Sequence, residues 1–275
     1  SALHSVPDCQ KIIKKAVVES LKRRYRVGWF AETGALYQIQ FSLVHDTATL
    51  YLDTTGTPLH KRGYRKVANL APIRETLAAG ILDIARIYPD TQLYDPFCGS
   101  GTFLIEAAYK AKNIAPGIYR RFAAEKWDSL PSKIWQTSRE EAIEKIRKDI
   151  EFTAFGSDIS QDSLEIAEAN ARRAGISGLI RLETADVKNF TIPDRKSLVV
   201  TNPPYGERLM NGEDLTKLYQ TMGNVFQPSQ QTAYYIISSA EDFEQGFGRK
   251  ADKKRKLYNG MLKCNLYQYF AQKSK

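Results

Sequence analysis

Asn202-Pro203-Pro204-Tyr205 sets an amide, two rigid rings and an aromatic directly after the short apolar run 197–201. These residue types are suited to holding a flat group that carries an exocyclic amine. The Asn202 side-chain oxygen and the Pro203 carbonyl could each accept one N–H. The prolines restrict the backbone and so preorganise the two acceptors. Tyr205 could stack on the ring, a contact of about 1–3 kcal/mol. An amine conjugated to a ring is a poor nucleophile, because its lone pair is delocalised. Held by two acceptors it is drawn towards tetrahedral geometry and its lone pair becomes available. In-line positioning can supply up to about 7–11 kcal/mol. Proton loss can follow attack, so no dedicated base is required. The bland alternative is a Pro-rich loop with Asn202 as a turn residue.

A second motif, Asp95-Pro96-Phe97-Cys98-Gly99-Ser100-Gly101, lies about a hundred residues upstream, where another apolar strand turns into a helix. Ligands of open α/β sheets bind beyond the carboxyl ends of the strands. Gly99 and Gly101 permit backbone angles closed to other residues and a close approach to a ligand. Asp95 would repel a phosphate but can accept from an ammonium, which favours the methionine end of S-adenosylmethionine over a dinucleotide. Phe97 and Cys98 read as packing residues, and a tight strand–helix turn is the alternative for the motif as a whole. Asp158 follows the apolar stretch 152–157 and could accept both hydroxyls of a ribose; its alternative is a helix N-cap. It stands 63 residues after Asp95, so region 112–150 must be an insertion. Asp186, after a third strand, could meet an adenine amine or simply close a loop.

These residues need elements to position them. Residues 8–26 have helical spacing with Asp8 as cap, and 36–43 and 47–53 alternate around a His45-Asp46 turn. One helix and two strands are too little to stand alone. A helix is expected over about 73–88, with Pro72 near its first turn. Strand 92–94 and helix 102–110 follow. After a polar, aromatic-dotted stretch at 112–137 come helix 138–150, strand 152–157, helix 162–174, and strands 180–183 and 198–201. Helix 214–226, strand 233–238 and a hairpin over 255–259 and 262–270 close the chain. This alternation predicts a mostly parallel sheet with helices on both faces and an antiparallel hairpin at one edge. The division expected is 1–58 and 59–275.

The chain has 275 residues, 43% of them hydrophobic, and a net charge of +9. Residues 1–70 hold eleven basic against five acidic side chains, and 249–275 hold nine against one. Positive charge therefore sits at both ends, which favours a polyanionic partner. Arg249-Lys250 and Lys253-Lys254-Arg255-Lys256, beside aromatics and an Asn259-Gly260 turn, suit looped RNA or a charge-protected sheet edge. Trp127 and Trp135 read as core residues before RNA contacts. No apolar run reaches the roughly 20 residues of a membrane span, and the first residues lack the pattern of a signal peptide. Three scattered cysteines and three scattered histidines point to a reducing cytoplasm and to no metal site.

The segments Leu93 to Ala108 and Thr201 to Leu209 together resemble the THUMP-associated RNA guanine-N2 methyltransferases, within them the bacterial enzymes acting on large-subunit ribosomal RNA. Residues 59–65, 71–78, Ala115-Pro116-Gly117 and Glu125-Lys126-Trp127 support the likeness, and 1–55 resemble the later half of a THUMP domain, an RNA-binding module. The resemblance implies a Rossmann-like class I methyltransferase fold of seven strands, mostly parallel, with a partial THUMP-like α+β segment at the N-terminus. It implies S-adenosylmethionine as cofactor, S-adenosylhomocysteine as product and no metal. Cofactor contacts would come from Asp95, Gly99, Gly101, Asp158 and Asp186, together with Phe97, Thr102 and Asn202, with Arg74 and Thr76, in the helix before the first strand, also near the cofactor. Asn202, Pro203 and Tyr205 would hold a guanine in RNA, in a cytoplasmic enzyme; the sequence does not fix the oligomeric state, a monomer being favoured. Alternatives are a transfer RNA substrate, adenine-N6 methylation of DNA, glutamine methylation of a protein, and a non-catalytic RNA-binding assembly factor.

Overall fold

The run 197–201 is apolar along its whole length because both of its faces are covered. Leu198 and Val200 enter one hydrophobic core and Val199 enters the other. The strand at 232–238 behaves likewise, with Tyr235 and Ile237 on one side and Tyr234 and Ile236 on the other. A strand buried on both faces reads as a continuous hydrophobic run instead of an alternating one. The computed structural model describes residues 3–66, 72–205 and 212–272. The chain forms two compact units, one of residues up to 58 with 121–137, the other of 59–120 with 138 onward.

The first unit holds helix α1 (Val6–Tyr25) and the antiparallel pair β1 (Gln38–Val44) and β2 (Thr47–Asp53). α1 begins two residues earlier than expected. Ser5, not Asp8, is its N-cap residue, and the Ser5 hydroxyl donates to the Asp8 carboxylate at 2.6 Å. The β1–β2 turn is the expected His45-Asp46, with both residues at positive φ (48° and 59°), as a tight hairpin of right-handed twist demands. Residues 121–137, expected from the sequence in the second domain, group with this unit. The Ala123 and Ala124 N–H groups donate to the Thr55 and Thr54 carbonyls. Trp127 stacks on Tyr37 at 4.6 Å and donates its indole N–H to the Leu36 carbonyl. Trp127 is therefore a packing residue.

The second unit contains α2 (Glu75–Ala85), β3 (Gln92–Asp95) and α3 (Thr102–Lys112). Next comes α4 (Ser132–Glu144), which straddles the division of the chain at 137. Then follow β4 (Ala154–Asp158), α5 (Gln161–Arg173), β5 (Ile180–Thr184) and β6 (Ser197–Thr201). The unit closes with α6 (Gly212–Val225), β7 (Thr232–Ser238), α7 (Phe243–Phe247), β8 (Lys253–Asn259) and β9 (Leu262–Tyr269). The strand order is β5-β4-β3-β6-β7-β9-β8. The first five strands are parallel, and β9 runs antiparallel between β7 and β8. From β3 the chain winds one way to β4 and β5, then returns to start again at β6. The order thus reverses between β3 and β6, the crevice where open α/β sheets bind ligands.

Two expected helices are displaced. α2 starts at Glu75, so Pro72 lies outside its first turn. The backbone before it is engaged elsewhere: the Ile73 carbonyl accepts from the Arg65 guanidinium and the Arg74 N–H donates to Asn259 Oδ1. α4 covers 132–144 instead of 138–150. The residues after it are drawn to the end of α3, where Lys112 Nζ donates to the Lys148 and Ile150 carbonyls and Asn113 to that of Lys145. The motif residues Ala71 and Gly206 to Leu209 lie outside the described residues.

Candidate active site

Asp95 and Thr201 are the last residues of β3 and β6, on either side of the switch point. The Thr201 hydroxyl donates to Asp95 Oδ1 at 2.6 Å, and the Phe97 N–H donates to the same oxygen at 3.2 Å. This bond ties together the carboxyl ends of the two motif-bearing strands. Oδ2 has no partner among the described residues, and Asp95 lies on the wall of a cavity of about 550 Å³. Burial pushes the Asp95 carboxyl up to about 7. The Asp158 carboxylate adds to the rise, against the pull of the Thr201 and Phe97 hydrogen bonds.

The loop after Asp95 is held from below by Asp158. Its Oδ2 accepts from the Gly99 N–H and its Oδ1 from the Ser160 N–H, both at 3.0 Å. Asp158 ends β4 and is not a helix cap: Ser160 caps α5, its hydroxyl accepting from the Ser163 N–H. Gly99 lies in the left-handed region (φ 49°) and on the cavity wall. Gly101 does not line the cavity. Its φ is 80°, and a Cβ there would meet the Ala167 Cβ at 3.1 Å, so it is glycine for the packing of α3 against α5. Cys98 is buried against Gly156, where a Cβ would collide with Leu104 Cδ1 and crowd the Cys98 side chain at 3.1 Å. Burial raises its thiol well above the usual range, with the Asp95 and Asp158 carboxylates adding to the shift, which makes it a poor nucleophile.

The wall gathers most of the residues read from the sequence. Phe97, Thr102, Asp158 and Asp186 line it together with Asn202, Pro203 and Tyr205. Asp186 also caps a short turn, accepting from the Lys188 N–H at 3.0 Å. That bond, first among its causes, lowers its carboxyl below the usual range. Arg74 and Thr76 do not line the cavity. Arg74 is the N-cap residue of α2, and its guanidinium lies against Gly260 of the β8–β9 turn. Their neighbour Ile73 lines it instead, with Ile159, Val187 and Leu218 as further apolar wall. Ile159 is 75% exposed, and its place after a strand-end carboxylate was the one available signal for it. Arg62, Tyr64, Arg65 and Glu75 also support the loop from behind. Arg65 donates to the Thr102 hydroxyl and pairs with Glu75, while Arg62 and Tyr64 both reach the buried Glu106. A larger cleft of about 760 Å³ elsewhere in this unit holds neither motif.

One polar atom on the wall is unmet among the described residues: Asn202 Oδ1 is buried without a hydrogen-bond partner. The Tyr205 hydroxyl, also buried, has Asn259 and Cys264 beside it. Burial pushes the Tyr205 phenol up to about 12, so it stays protonated. Leaving a buried acceptor unsatisfied costs about 1–3 kcal/mol, and such an atom in a native fold calls for a reason. Asn202 lines a mostly apolar cavity just past a strand end, and its Oδ1 keeps lone pairs that no described residue uses. The cavity volume is within the range of small-molecule sites. Its carboxylates suit a ligand carrying hydroxyl and ammonium donors.

Residues 62–268 match the family UPF0020, described as an RMKL-like methyltransferase domain. The chain belongs to this family. A Bacillus subtilis (strain 168) protein named "Putative RNA methyltransferase YpsC" is 46% identical over 99% of the chain and 71% of its own length. The "Ribosomal RNA large subunit methyltransferase K/L" of Psychromonas ingrahamii is 42% identical over 82% of the chain, which spans 31% of that enzyme. Among solved structures, SMU.472, described as "a putative methyltransferase complexed with SAH", superposes with a TM-score of 0.90. It is 42% identical and covers 100% of this chain and 73% of its own. The architecture is therefore the class I methyltransferase fold expected, seven-stranded with a terminal antiparallel hairpin. Among the described residues no helix is long and apolar enough to cross a membrane.

Proposed function

We propose that this chain methylates the exocyclic N2 amine of a guanosine in RNA, in the large-subunit ribosomal RNA, using S-adenosylmethionine. The unmet, buried Asn202 oxygen on the cavity wall carries the reading. S-adenosylmethionine, when bound, supplies a methyl group on a positively charged sulfur. Asp158 keeps free lone pairs for the two ribose hydroxyls, Asp186 is the acceptor for the adenine amine, and the free oxygen of Asp95 receives the ammonium. Asn202 Oδ1 and the Pro203 carbonyl accept the two guanine N–H groups, and Tyr205 covers the ring. No side chain on the wall is asked to act as a base, since the amine becomes acidic once it is alkylated. The wall is largely apolar, which excludes water and strengthens each of these hydrogen bonds.

The choice of RNA rests on the basic ends of the chain and on the substrates named for its relatives. The first unit, with exposed Arg23 and Arg24 in the last turn of α1, is proposed as the THUMP-like docking segment. The test is Asn202→Ala. Methyl transfer to ribosomal RNA is expected to fall at least a thousandfold, while calorimetric affinity for S-adenosylhomocysteine stays within threefold. Surviving transfer would sink the role of Asn202; lost affinity with full transfer per bound cofactor would move it to cofactor binding.

A further inference from the structure

The tip of the β8–β9 hairpin carries the most exposed large hydrophobic side chain among the described residues, Met261 at 99%, flanked by half-exposed Tyr258 and Leu262. β9 pairs with β7 only from Asn265 onward, where it faces Ser238 at the carboxyl end of β7. Residues 262–264 therefore run past the sheet's carboxyl edge, by about 10 Å at roughly 3.3 Å per residue. That is the edge on which the cavity opens. The turn is fastened there. Asn259 Oδ1 accepts from the Arg74 N–H at 3.2 Å, and Gly260 lies against the Arg74 guanidinium. Arg74 adjoins Ile73 on the cavity wall, and Cys264 and Asn259 stand beside the Tyr205 phenol.

Behind this apolar tip lies positive charge. Lys256 and Lys263 share one face of the hairpin with Tyr258, while Lys253 and Arg255 lie on the other; none of the four makes an ion pair among the described residues, whereas Lys254 is paired with Glu244 at 2.7 Å. Lys256 lies over the Tyr258 ring at 5.5 Å. A hydrophobic point mounted on a cationic strip matches a stacked polyanion: phosphates meet the strip, and bases meet the point.

From this arrangement we propose that the Met261 tip is a wedge, entering the base stack beside the target nucleotide and occupying the space it vacates. The inference rests on the guanine-in-RNA reading above. A stacked guanine cannot bring its amine to an acceptor buried beside Tyr205, so it must swing out, at a cost of a few kcal/mol. Apolar side chains inserted between base steps offset such unstacking elsewhere. Methionine is unbranched and adapts to an irregular slot. The wedge need only be rigid at its base, which the Asn259–Arg74 contact provides.

The experiment compares wild type with Met261→Ser, Met261→Leu and Lys256→Ala/Lys263→Ala, using an unmodified transcript of large-subunit ribosomal RNA. Transcript affinity is read by fluorescence anisotropy, and single-turnover methyl transfer is read at saturating transcript. Met261→Ser is expected to lower the single-turnover rate at least tenfold, with RNA affinity changed less than threefold. Met261→Leu should restore most of the rate, and the double lysine variant should weaken affinity while keeping the rate at saturation. A normal rate in Met261→Ser overturns the wedge and leaves the tip as a protein-contact surface. Loss of affinity alone reduces the tip to a docking contact and also overturns it. If the wild type methylates no guanine in the transcript, the active-site reading fails and the wedge falls with it. The single failure of Met261→Ser to differ from an active wild type removes the wedge only.

Discussion

Asp95 should make cofactor binding depend on pH, through a carboxyl whose proton must leave before an ammonium can be received. Burial pushes it up to about 7 in the free protein. Oδ1 is already taken by Thr201 and Phe97, which leaves Oδ2 for the ligand. If only the ionised form binds well, about one molecule in eleven is competent at pH 6. Affinity for S-adenosylhomocysteine should then rise about tenfold from pH 6 to a plateau above pH 8, each unit below 7 costing about 1.4 kcal/mol. Calorimetry at pH 6, 7 and 8, in buffers of different ionisation heat, should also register a proton released on binding below pH 7. Asp95→Asn keeps an acceptor for Thr201 but has no charge to titrate; it should bind weakly and show no slope. A flat wild-type profile, or the same slope in Asp95→Asn, would refute the assignment. The sign for folding runs the other way. The native carboxyl holds its proton more tightly than the unfolded one, so the free protein loses stability as pH rises from about 4 to about 7.

Asp158→Ala removes the acceptor for the Gly99 and Ser160 N–H groups as well as the proposed ribose contact. Cofactor affinity should fall at least tenfold by calorimetry, and unchanged affinity would reject the contact. Gly101→Ala forces a side chain into the left-handed region and to within 3.1 Å of Ala167. Urea denaturation should report a loss of about 1–3 kcal/mol; equal stability would mean that α3 and α5 are less tightly packed than described. Glu106→Ala leaves the Arg62 guanidinium buried without its carboxylate, 3.4 Å away in the native protein. Breaking a buried pair from one side costs about 3–5 kcal/mol, so the unfolding midpoint should drop sharply, with Glu106→Gln intermediate between wild type and Glu106→Ala.

The parallel strands were legible because helices cover both faces of the sheet, which turns Leu198-Val199-Val200 into an unbroken apolar run. The motifs were legible because glycine, aspartate and proline act locally at strand ends: Asp95, Gly99, Asp158, Asp186 and Asn202 do meet on one cavity wall. What escaped depends on partners distant in the chain. Gly101 owes its identity to Ala167, and Arg74 faces a hairpin turn 185 residues later. The insertion 121–137 joins the N-terminal unit through backbone bonds to Thr54 and Thr55, which no periodicity announces. α7, only five residues long, is too short to show a helical pattern. Leu218 and Val187 reach the cavity from a helix and a turn whose sequence shows only that they are apolar.

The most direct measurement is the identity of the methylated base. Wild-type protein should be incubated with S-adenosylmethionine and unmodified large-subunit ribosomal RNA, and the RNA digested to nucleosides for mass spectrometry. The account predicts N2-methylguanosine, abolished by Asn202→Ala. Methyl groups found on adenine, on a protein, or nowhere while the enzyme binds its cofactor would contradict it.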